Sequence, residues 1–293
     1  MFNRKNTQRR NIALIMCLFT FSIACSNVPN CASINIAPQI AAVHDTKNLP
    51  FNSFVTVRSK TFERTCTPSL ALTSTAADVC PINIRIASAS GVVIYKSIHD
   101  TGVAYVLTAK HMCNTKQEIK GDVINHQFVI KDFNYDSYEA LSFVKSDASD
   151  SCILIFAHSP DWMQPVEITE TEPSLGERVF NLAAPESMSA KQTMMVFEGF
   201  YSGIYEDYHI FTLPASQGSS GSPIFNKENQ LVGMIFAVPT SLKDERLGDS
   251  STRVTKQTME NLAYAVGIDD IKALVTVLVD VDANIDIGSI EKN

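Results

Sequence analysis

The segment Gln217-Gly218-Ser219-Ser220-Gly221-Ser222-Pro223 sets a serine in a glycine-flanked turn between two apolar runs, Tyr208 to Leu213 and Pro223 to Phe225. A serine hydroxyl attacks a carbonyl only when a base takes its proton and hydrogen-bond donors stabilise the oxyanion. Glycine beside the serine lets backbone N–H groups converge there. The base and the group that orients it must come from elsewhere in the chain. Residues 105–111 end an apolar, strand-like run on His111, and residues 149–155 open another apolar run just after Asp150. The order His, Asp, Ser therefore spans one domain-sized stretch. Asp147, three residues before Asp150, is the rival orienter.

Around these residues the chain reads as short β-branched or aromatic runs separated by turn residues. Strands are expected at Phe54 to Arg58, Ile82 to Ile86, Gly91 to Lys96, Val103 to Thr108, His126 to Ile130, Ala140 to Val144 and Ile153 to Phe156. Further strands are expected at Arg178 to Leu182, Met194 to Phe200, His209 to Leu213, Leu231 to Val238 and Leu262 to Val266, then a helix from Ile268 to Leu278. Many short strands of this kind hide their edges by closing into barrels. Residues 239–260 are polar and charged.

The three motifs, LTAKH at 107–111, SDSCILIF at 149–156 and GSSGSPIF at 218–225, resemble the signature segments of trypsin-like (chymotrypsin-fold) serine peptidases, in that family's order. Residues 90–94 and 231–235 are similar to the bacterial HtrA/Deg-like branch, and the resemblance runs from Ile82 to Leu274. It implies an all-β fold of two six-stranded antiparallel β-barrels with a C-terminal helix over residues 51–279. It also implies Ser220 as nucleophile, His111 as general base and acid, Asp150 as orienter, and the backbone N–H groups of Gly218 and Ser220 as the oxyanion hole. No PDZ module is expected after the helix.

The family's primary pocket would be based at Pro214 and Ala215, which supply no carboxylate, so cleavage after Lys or Arg is disfavoured. Phe236, Ala237 and Val238 would line the substrate strand and leave a shallow pocket for small or apolar side chains. The function implied is an exported serine endopeptidase acting through an acyl-enzyme on peptide or protein substrates, with no metal or organic cofactor. The alternative is a catalytically silent peptide-binding envelope protein on the same scaffold.

Composition bounds the rest. The 293 residues can bury a full core, and two small barrels use most of them. Arg4, Lys5, Arg9 and Arg10 precede an apolar run from Ile12 to Ala24 that suits a signal peptide over residues 1–24, or an uncleaved anchor. Cys25 follows directly, where a bacterial lipoprotein carries its lipid, so membrane attachment is expected only through that lipid or the leader. Residues 25–50 read as a tether or arm. Loss of the leader's four basic residues would take the formal charge from −7 to −11, and no basic footprint for nucleic acid is present.

Export permits disulfides. Cys66 and Cys80 bracket a loop that a bridge could staple, while Cys113 and Cys152 should lie near each other, either bridged or as buried thiols. His99, His126, His158 and His209 have no comparable motif context and are read as surface or structural residues. The tail 280–293 spaces oxygen side chains like an EF-hand loop, but Ile285 stands at the glycine position, so an acidic tail without calcium is expected.

Overall fold

The computed structural model describes residues 48–64, 82–97, 102–114, 122–247, 251–259 and 261–284. The leader 1–24, Cys25, residues 26–47 of the arm, Cys66, Cys80, His99 and residues 285–293 lie outside the described residues. Two closed six-stranded barrels follow one another along the chain. The first contains β1 (Phe54–Arg64), β2 (Ile82–Lys96), β3 (Ala104–Ala109), β4 (Asp122–Lys131), β5 (Ser137–Lys145) and β6 (Ser151–Phe156), in the order β1-β2-β3-β6-β5-β4. A four-residue helix, α1 (Lys110–Cys113), follows β3.

The second barrel begins with β7 (Arg178–Ala183), β8 (Met195–Tyr205), β9 (Tyr208–Phe211), β10 (Pro223–Phe225) and β11 (Leu231–Ala237). A separate hairpin, β12 (Thr240–Leu247) and β13 (Ser251–Thr258), interrupts it before β14 (Ala263–Val266) completes the order β10-β11-β14-β9-β8-β7. The helix α2 (Ile268–Asn284) then runs six residues beyond the expected Leu278. The backbone of Asp280, Asp282 and Asn284 therefore lies on this helix.

Alternation along the strands explains why the barrels meet. On β3, Val106 points into the first barrel's core with Val57, Val93, Ile130 and Leu154, whereas its neighbour Leu107 points the other way. Leu107 joins a cluster between the barrels with Val92, Ile153, Phe180, Phe225 and Met234. Ile271, Leu274 and Leu278 of α2, at helical spacing, close the same cluster, and Leu49 at the end of the arm is buried against it. Val179, Phe211, Ile224 and Ile235 fill the second barrel. The fold therefore brings the end of β3, the start of β6 and the turn before β10 to one seam.

Candidate active site

His111 sits on α1, directly after the buried Ala109 that ends β3. Four residues cannot sustain a helix by themselves. Here α1 is tied to β6 by the disulfide Cys113–Cys152, with Cα atoms 6.6 Å apart, so the bridged alternative for these two cysteines holds. The same two elements carry His111 and the residue before β6, Asp150. The Nδ1–H of His111 donates to Asp150 Oδ2 at 3.0 Å, and the backbone N–H of His111 donates to Oδ1 at 2.9 Å. Burial opposes the Asp150 charge, but the hydrogen bond and charge of His111, with backbone N–H donors, hold its carboxyl below the usual range. An ionised Asp150 fixes Nδ1 as the protonated nitrogen and leaves Nε2 to accept a proton. Asp147 is exposed, and the contacts to His111 come from Asp150.

The turn carrying Ser220 is docked onto β2 through Ser90. The Ser90 N–H donates to Ser220 O at 2.8 Å, and the Ser90 hydroxyl donates to Gly218 O at 3.0 Å while accepting from Ala184 N–H at 3.0 Å. Thr108, three residues before His111, donates its hydroxyl to Ser90 O at 2.8 Å. Gly218 and Gly221 both have positive φ, 93° and 84°. At Gly221 a Cβ would lie 2.0 Å from Ser90 O and 2.5 Å from Thr108 Oγ1, so only glycine fits between the turn and the histidine-bearing strand. The Ser220 hydroxyl donates to Phe236 O at 3.3 Å, so passing its proton to an imidazole requires breaking this bond.

Pro214 and Ala215 line a cavity of about 340 Å³ beneath this turn, together with Pro185, Glu186, Phe197 and Asn261. Phe236, Ala237 and Val238 are not in its wall. The Phe236 ring packs against Tyr208 and Tyr264, at 5.3 and 6.4 Å, and contributes its carbonyl to Ser220. Sequence reasoning missed Ser90, Glu186, Phe197 and Asn261. The only local signal was at Ser90, a small polar residue just before the β-branched run Val92–Ile94. Among the other histidines, His126 is bonded to Thr61 Oγ1 at 2.8 Å and His209 to Tyr201 at 3.1 Å, both structural placements. Among the described residues no three His, Cys, Asp or Glu side chains are grouped to hold a metal ion.

Two closed antiparallel barrels with an Asp–His pair and a serine turn at their seam define the chymotrypsin-like fold class. Residues 89–234 match the trypsin-like peptidase domain family. Three similar proteins from Staphylococcus aureus, strains USA300, NCTC 8325 and bovine RF122, are each called "Serine protease HtrA-like". Each is 24% identical over 201 residues, covering 62% of this chain. The match covers only 22% of each relative's own length.

Proposed function

We propose that this protein is an exported serine endopeptidase that hydrolyses peptide bonds through an acyl-enzyme. The observation that carries the reading is the two-point grip of Asp150 on His111 beside a serine turn bolted to the neighbouring strand. In the proposed cycle, Ser220 attacks the scissile carbonyl as His111 Nε2 takes its proton. The N–H groups of Gly218 and Ser220 stabilise the oxyanion, and His111 returns the proton to the leaving amine. Water then repeats the sequence on the acyl-enzyme, releasing the acid and regenerating Ser220. Asp150 holds the imidazole tautomer throughout and stabilises the transient imidazolium.

Pro214, Ala215 and Phe197 give the cavity beneath the turn an apolar wall, which supports a preference for small or apolar residues on the acyl side. The basic, then apolar amino terminus supports export, with Cys25 as a candidate lipid acceptor. Treatment with a fluorophosphonate probe tests the reading. The expected result is one adduct mapped to Ser220, lost in Ser220→Ala and strongly slowed in His111→Ala. Folded protein that takes up no probe would refute the enzyme and favour a peptide-binding scaffold.

A further inference from the structure

The turn that carries Ser220 spends most of its N–H groups on itself and its neighbours. Ser219 N–H donates to Ser216 O at 2.9 Å, Ser222 N–H to Ser219 O at 3.0 Å and Gly221 N–H to Ile235 O at 2.7 Å. Ser216 N–H reaches Ser219 Oγ at 3.2 Å. Among the described residues, the N–H groups of Gly218 and Ser220 donate to no acceptor. Gly218 is buried, and a buried N–H without an acceptor is rare and costly. Some other contact therefore has to keep its peptide from turning over to find one.

That contact comes from the short helical turn Pro185–Ser187, which follows β7. Glu186 N–H donates to Gln217 O at 2.6 Å. Gln217 O and Gly218 N–H belong to one planar, trans peptide unit, so they point in opposite directions. A grip on the carbonyl from Glu186 thus aims the Gly218 N–H away from that turn. Glu186 makes the bond from the left-handed region, φ 50° and ψ 27°, which is costly for a residue with a Cβ. Its side chain is exposed, so the main chain is what the contact uses. The turn is itself fixed, because Ala184 N–H donates to Ser90 Oγ at 3.0 Å and the same hydroxyl donates to Gly218 O at 3.0 Å. Consecutive carbonyls of the nucleophile turn, Gln217 O and Gly218 O, are therefore held by two donors that residues 184–186 tie together.

We propose that Glu186 is a positioning residue whose left-handed main chain sets the Gln217–Gly218 peptide and so decides whether the Gly218 N–H can meet an oxyanion. Moving Glu186 to ordinary helical or extended angles withdraws its N–H from Gln217 O and frees that peptide to rotate. The role belongs to the backbone of residue 186 and not to its carboxylate. It rests on the peptidase reading and names the contact that sets up one oxyanion donor of that site.

Two variants that both delete the carboxylate are compared for their rate of fluorophosphonate labelling at Ser220. Glycine takes positive φ freely, whereas a β-branched residue resists it, so Glu186→Val should label at least about tenfold more slowly than Glu186→Gly. The ceiling is the roughly 10²–10³-fold that one lost oxyanion donor costs. The loss should fall on the maximal labelling rate and leave the half-saturating probe concentration in place, with cooperative unfolding retained. Glu186→Asn should group with Glu186→Gly, because asparagine tolerates left-handed angles, and Glu186→Thr keeps the comparison if Glu186→Val does not fold. In protein carrying isotope-labelled glycine, the Gly218 amide resonance should move on adduct formation in Glu186→Gly and stay in place in Glu186→Val. Equal labelling rates for the glycine and β-branched variants overturn the role. So does a series in which Glu186→Asp keeps the wild-type rate while Glu186→Gly and Glu186→Asn both lose it, since the carboxylate would then be the acting group. Wild-type protein that labels while the variants do not differ refutes the turn alone, whereas folded wild-type protein that takes no probe refutes the peptidase reading.

Discussion

Ser90 is the residue whose removal most directly tests how the site is assembled. It is fully buried, and its four polar contacts reach three distant segments: Ser220 O and Gly218 O in the nucleophile turn, Thr108 Oγ1 at the end of β3, and Ala184 N just after β7. Ser90→Ala keeps both backbone contacts and deletes only the hydroxyl. Ala184 N–H and Gly218 O are then left buried without that partner, and each such group costs about 1–3 kcal/mol. The expected destabilisation is about 2–6 kcal/mol, a large share of the roughly 5–15 kcal/mol that holds a domain together. Urea unfolding followed by the fluorescence of Trp162, the only tryptophan, measures it.

The same hydroxyl fixes the carbonyl end of Gly218, the residue whose N–H is proposed to face the oxyanion. Releasing it should slow probe labelling of Ser220 by about 10²-fold, the scale of one oxyanion donor. Ser90→Thr separates the two effects. It restores the hydroxyl but adds a methyl to a filled site, so stability should fall by about 1–3 kcal/mol while labelling recovers. If Ser90→Ala shifts the unfolding midpoint negligibly and labels at the wild-type rate, the reasoning that Ser90 assembles the turn is refuted.

Gly221→Ala must place a Cβ 2.0 Å from Ser90 O at a φ of +84°, so the turn has to move; labelling should fall at least as far as in Ser90→Ala, while cooperative unfolding persists. Replacing Cys113 and Cys152 together by alanine opens a loop of 39 residues, which chain entropy values at up to about 4 kcal/mol. The urea midpoint should drop under oxidising conditions, and reductant should abolish the difference between variant and wild type. Burial lowers the His126 pKa below its ordinary 6.5. Folding therefore favours the neutral ring, a contribution present above pH 6.5 and lost as pH falls through the folded-state value. His126→Gln should flatten the acid side of the stability–pH profile, with the unfolding free energy at several pH values as the check.

The strands that line the barrels were legible because each must present alternate residues to a core. Residues 153–156 and 231–237 carry that demand in their own composition, and both lie where the apolar runs place them. The hairpin of β12 and β13 carried no such signal. Among the described residues its strands pair only with each other, so no barrel interior imposes an apolar face, and the sequence 240–258 is polar and charged. The joined length of β2 was hidden for a related reason, since its outer residues Ile82–Ala87 are all exposed and carry no buried alternate face.

Within the site, legibility follows how local each constraint is. Gly221 announces itself because one backbone angle and one close approach both demand glycine. His111 and Asp150 stand at strand ends that a reader can find. The work of Ser90, by contrast, depends on partners 94 and 128 residues away, and no spacing rule connects them. Phe236 shows the limit of register alone: its backbone arrives beside Ser220, yet its ring is drawn away by Tyr208 and Tyr264, which only the closed barrel brings within reach. Under the proposed function, substrate preference is to be sought in the cavity walls that Glu186 and Phe197 contribute from outside the motifs.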